Sequence, residues 1–146
     1  MDDRIKKLKT TKDCEVFARN SLTHGRPDLA AEARQRAVEL RAASYGATSE
    51  AERECLAAIY AYEEILFDKH GRRVKASRTW QMIKRRGIIA AIEQAVDRPD
   101  GTAGFSALQN VGLENYAFEA VILRHMSLFS ESAVERSRQR MAQFGV

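Results

Sequence analysis

The run Ser49-Glu50-Ala51-Glu52 constrains the fold more than any other four residues of the chain. A serine hydroxyl and a carboxylate three residues later satisfy each other's free backbone donors, the arrangement that starts an α-helix. Behind it Cys55, Ile59, Tyr62 and Leu66 recur at helical spacing, with Leu56, Tyr60 and Phe67 alongside, until Gly71 ends the run. The same punctuation recurs on both sides, so the chain reads as a succession of helices.

Thr10 or Thr11 caps a first helix that carries Cys14, Phe17, Ala18 and Leu22 and ends near Gly25. Pro27 suits the first position of a second helix, with Asp28 in its first turn. Leu29, Ala33, Ala37 and Leu40 share one face of it, and Gly46 stops it. That alanine-rich seam calls for close packing. Beyond the capping-box helix, a further one runs from Ser77 to Arg86. Gly87 is expected in the left-handed position after that helix, with Ile83 and Ile88 in apolar contact.

Ile88, Ile89, Ile92 and Val96 mark the next helix, and Pro99-Asp100-Gly101 a turn. Phe105, Leu108 and Val111 mark a short helix stopped by Gly112, with Leu108 and Leu113 as its apolar pair. Tyr116 to Leu123 is apolar nearly all round, as in a buried central helix. Ser130 or Ser132 caps a last helix bearing Val134, Met141 and Phe144. No window alternates with period two. The expectation is an all-α, single-domain irregular bundle of about eight helices over residues 1–146, without a sheet, in which 1–10 form a flexible basic arm.

Composition agrees with a folded domain. The 146 residues are 45% apolar and 30% charged, and only eight Gly and two Pro argue against a chain built from tight β-turns. Cys14 and Cys55 fall at apolar helical positions, without metal-ligand spacing, and read as small buried hydrophobes. The N-terminus has no apolar signal stretch, and no uncharged run approaches the roughly 20 residues of a membrane span. A cytoplasmic location without membrane contact is expected.

The net charge of +4 hides an uneven distribution. Residues 69–92 hold Lys69, Arg72, Arg73, Lys75, Arg78, Lys84, Arg85 and Arg86 and no acid, and residues 1–12 are also basic. The remainder carries an excess of acids. Wound as a helix, 78–86 puts Arg78, Gln81, Arg85 and Arg86 on one face around Met82, with Thr79, Trp80 and Ile83 opposite and Lys84 at the flank. Arginine and lysine neutralise phosphates, and arginine and glutamine form paired hydrogen bonds to base edges. The chain is therefore expected to bind nucleic acid through Arg72, Arg73, Lys75, Arg78, Gln81, Lys84, Arg85 and Arg86, helped by Lys6, Lys7 and Lys9. DNA is favoured over RNA because no aromatic cluster accompanies these bases, and Trp80 is assigned to the core.

Other chemistries compete with this one. An interaction or scaffold domain, homo-oligomeric or accessory to a larger protein, would use Ala30, Ala33 and Ala37 or Tyr60 and Tyr62. Glu64 and Asp68 share a face and could hold a divalent ion, but an acidic face paired with the basic segment explains them, and Glu63 beside them, more simply. His24, His70 and His125 lie at no metal spacing, no cofactor motif occurs, and no catalytic site is assembled in the sequence. The six residues Arg19-Asn20-Ser21-Leu22-Thr23-His24 resemble the Arg-four residues-His signature of helical ribonucleases of the HEPN class. In that family the signature lies on a late helix. The resemblance implies RNA cleavage at a dimer interface, where Arg19 and His24 of each chain would meet. The competing expectation is that His24 caps a helix end.

Overall fold

Helix follows helix along the described chain, and no strand interrupts them. The computed structural model describes residues 1–97 and 101–145. In order the helices are α1 (Asp3–Lys6), α2 (Thr11–Thr23), α3 (Pro27–Tyr45), α4 (Glu50–His70), α5 (Ser77–Arg86), α6 (Ile88–Val96), α7 (Gly101–Asn110), α8 (Phe118–Arg124) and α9 (Glu131–Gln143). Single 3₁₀ turns, Glu114–Tyr116 and Met126–Leu128, flank α8. The all-α expectation holds, and α2 to α9 are the expected helices. Of the expected turn at Pro99-Asp100-Gly101, the first two residues lie outside the described ones, while Gly101 is already the first residue of α7.

The N-terminal segment departs from the expected arm. Asp2 caps α1 by accepting from the Arg4 N–H at 2.8 Å, and Ile5 is fully buried. The Arg36 guanidinium donates to the Leu8 carbonyl at 3.1 Å, which ties the segment to α3. One apolar side chain, invisible as a pattern among Lys6, Lys7 and Lys9, is enough to seat it. Those three lysines remain exposed.

Half of the expected capping box of α4 forms: the Ser49 hydroxyl accepts from the Glu52 N–H at 3.1 Å, while the Glu52 carboxylate accepts from the Ser49 hydroxyl at 3.3 Å rather than from its backbone N–H. Cys55, Leu56 and Ile59 of α4 have no exposed surface. They join Val38, Ile92, Val96, Leu113, Val121 and Ile122 in one core that runs as far as Met141. A smaller cluster holds Ala18 of α2 against Ala30 and Ala33 of α3. Ala30, Ala33 and Ala37 are thus consumed inside the chain and offer no face to a second copy. Both cysteines are buried, and burial pushes the Cys55 thiol up to about 12.

Two glycines set the corners. At Gly112 the Leu113 N–H donates to the Leu108 carbonyl at 2.9 Å and the Gly112 N–H to Gln109 at 3.2 Å, the expected helix-ending motif with its buried Leu108–Leu113 pair. A Cβ at Gly112 would lie 2.4 Å from that of Ala31, so glycine also lets this corner close onto α3. Gly87 differs from expectation. Its φ of 94° is positive, but its ψ of 173° is extended rather than left-handed helical. That region is open essentially to glycine alone, and it lets Gly87 end α5 and start α6 with no residue between.

Polar anchors hold α8 against α4. Glu54 accepts from Arg124 Nε at 2.6 Å and lies 2.6 Å from His125 Nε2. Burial alone would raise the Glu54 pKa, but these two partners outweigh it and hold the carboxyl below its ordinary value of 4.5. Within α8, Glu119 is buried near Arg140 of α9, and burial raises its pKa. This charge sits inside a segment expected to be apolar nearly all round.

Gly87→Ala should destabilise the fold by about 1–3 kcal/mol, the strain of forcing a Cβ into that backbone region, as read from urea unfolding. A carboxyl with a depressed folded-state pKa stabilises above its unfolded value and loses that contribution as pH falls through the folded one. Unfolding free energy should therefore drop below about pH 4.5, and Glu54→Gln should make that drop shallower than in the unmodified chain.

Candidate nucleic-acid interface

Helix α5 begins without a cap of its own, since Ala76 supplies no side-chain acceptor. Glu63 of α4 takes that role. Its Oε2 accepts from the Ala76 N–H at 2.8 Å and from Trp80 Nε1 at 2.7 Å, so one carboxylate fixes both the helix start and the indole. Thr79, Met82 and Ile83 are buried beneath α5. Met82 was expected amid the exposed face. The spacing 79, 82 and 83 instead makes it the centre of the docking stripe, one turn from Thr79. Trp80 lies at the margin of that stripe, half-buried.

The opposite side is exposed. Arg78, Gln81, Lys84, Arg85 and Arg86 all face solvent, as do Arg72 and Lys75 upstream. None of these six cations makes an ion pair among the described residues. Arg78 and Arg85 line one shallow recess with Gln81 and Gln94, of about 320 Å³. Arg85 and Arg86 line a second with Gln94, Ser130 and Ser132, where Glu93 and Asp97 contribute the acids. Glu93 is occupied there, accepting from the Ser130 N–H at 2.6 Å.

Arg73 leaves the expected set. Its Nη1 lies 2.7 Å from Glu64 Oε1, its Nη2 is paired with Glu15, and its guanidinium stands 4.1 Å from the centroid of Phe67. Arg41 of α3 pairs with the same Glu64 and reaches Glu15 at 3.4 Å. Burial works against the Arg73 charge, but the hydrogen bonds from Glu64 and Glu15 prevail and hold its pKa above the ordinary arginine value. Glu64 is therefore spent on structure, as the acidic-face reading expected. No group of three His, Cys, Asp or Glu among the described residues is placed to hold a metal ion.

Two aromatic residues converge on the basic helix from elsewhere in the chain. Tyr45, the last residue of α3, stacks on Trp80 with ring centroids 5.9 Å apart and planes 21° from parallel. Tyr60 of α4 meets the indole at 5.2 Å with a tilt of 52°. Nothing local in the sequence links 45, 60 and 80. Only the antiparallel return of α4 on α3, and the Glu63 anchor, bring them together.

Arg19 on α2 and His24, the residue that follows its last turn, serve different surroundings. Arg19 lines a cavity of about 200 Å³ between α2, α3 and α4, whose walls include Cys14, Ala33, Ala37 and Phe67. The His24 ring lies 2.8 Å from the Asn20 carbonyl at the end of α2, which is the expected cap.

Glu63→Ala should loosen α5 by about 1–3 kcal/mol, the range for removing a charged acceptor from half-buried donors, in urea unfolding. Emission from Trp80, the sole tryptophan, should shift to longer wavelength as the indole loses its anchor. No described helix is long and apolar enough to cross a membrane. Comparison of the chain with models of protein families, with curated proteins and with solved structures found no match.

Proposed function

We propose that this chain is a nucleic-acid-binding module that meets the phosphate backbone with the outer face of α5. One observation carries the reading. Arg72, Lys75, Arg78, Lys84, Arg85 and Arg86 are exposed and without acidic partners among the described residues, while Arg73 in the same run is consumed by Glu15 and Glu64. A protein that needed these charges only for internal pairing would neutralise them as it neutralises Arg73. Gln81, exposed between Arg78 and Arg85, adds an amide able to pair with a base edge. Affinity would come mainly from release of counterions by the cations of α5 and its leading loop.

The ground for preferring DNA was the lack of aromatic residues near the bases. Tyr45 and Tyr60 beside Trp80 remove that ground, so the proposal extends to either polymer.

Fluorescence anisotropy of labelled DNA and RNA, titrated over a range of salt, tests the reading. The logarithm of the association constant should fall with that of salt with a slope of about −3 to −5 for a duplex. In the triple variant Arg78→Glu, Arg85→Glu, Arg86→Glu the slope should shrink by roughly 3 and affinity should fall more than about tenfold. Binding that survives intact in that variant, with its helical circular dichroism unchanged, would refute the assignment.

A further inference from the structure

We infer that the polymer is read as a single strand, with an unpaired base stacking on the Tyr45 ring at the edge of α5. The inference rests on the nucleic-acid reading above and names the substrate class. Tyr45 is 47% exposed although its ring is held against Trp80. A tyrosine at a helix end that served only the core would turn its ring inward. This one instead lies nearly parallel on an indole that is itself clamped by Glu63. The result is a stiff aromatic stack with one end open to solvent.

Charge lies on two sides of the stack. Lys84 follows Trp80 by four residues on α5, and side chains at that spacing are neighbours on a helix surface. Tyr60 also lines a recess of about 370 Å³ with Lys9 and Ser44, where Arg41 is already paired with Glu15 and Glu64. An aromatic platform flanked by cations is what a single strand requires, because each base offers a flat face and each link a phosphate. In a duplex both base faces are already stacked on neighbours, so the open Tyr45 ring would have no partner there. Of the unpaired cations of α5, Lys84 lies beside Trp80 on the helix surface, while Arg78, Arg85 and Arg86 lie round the helix from the indole.

The test uses the whole chain with labelled oligothymidylate, oligouridylate and a mixed-sequence duplex. The single strands should quench Trp80, the sole tryptophan, while the duplex leaves its emission nearly unchanged. Tyr45→Ala should weaken single-strand binding by about 5- to 100-fold, the range for losing one stacked base, and leave duplex binding within about twofold. Tyr45→Phe should bind single strands like the unmodified chain, which ties the effect to the ring. If Tyr45→Ala binds single strands normally, or loses duplex affinity equally, the stacking inference is overturned. The triple arginine variant decides the underlying reading separately, since it removes charge and leaves the platform in place.

Discussion

Two adjacent carboxylates on α4, Glu63 and Glu64, determine how the second half of the molecule meets the first. They leave the helix in different directions. Glu64 gathers Arg41 from α3 and Arg73 from the segment after α4, while Glu63 receives the N–H of Ala76, just before α5, and the indole of Trp80. The segment joining α4 to α5 is thereby fastened at both ends to the helix it has just left. Leaving one buried charge without its partner is far more damaging than never having had the pair. The loop is therefore held by a requirement of electrostatics rather than by apolar packing, which at Arg72 to Lys75 is slight.

That division explains why one basic run holds two kinds of cation. Arg73 points back at the acidic face and completes the fold. Its neighbours Arg72 and Lys75, and the cations of α5, form no ion pair with a carboxylate of the described residues, although Arg85 and Arg86 share a recess with Glu93 and Asp97. The same anchoring that pairs Arg73 with Glu15 and Glu64 presents the others on a fixed support. Long charged side chains on a fixed helix hold a more constant spacing than they would on a free loop, which favours contact with a regularly spaced polyanion.

Much of the architecture was legible because its signals are local. The Ser49 cap, the Gly112 stop and the Leu108–Leu113 pair need only neighbouring residues, and they form as written. What was misread depends on distance in space. Ile5 looks solitary among lysines until α3 is beside it, and Met82 changes sides once α5 is rotated onto its bed. Gly87 was recognised as special but in the wrong backbone region, since sequence shows that a positive φ is tolerated and not which ψ follows. At the candidate site the charges were legible as a run. The capture of Arg73 by Glu15 was not, because 58 residues separate the two. The convergence of Tyr45 and Tyr60 on Trp80 was hidden for the same reason.

The bare junction at Gly87 makes α5 and α6 an elbow with no slack. Each residue wound into a helix turns everything beyond it by about 100°. A single insertion in the last turn of α5 would turn α6 by that amount relative to the anchored start of α5, and carry Ile92 and Val96 out of register with Thr79, Met82 and Ile83. Length at this corner is thus as binding as identity. Lineages of this chain should hardly vary in the count of residues between Trp80 and Ile88.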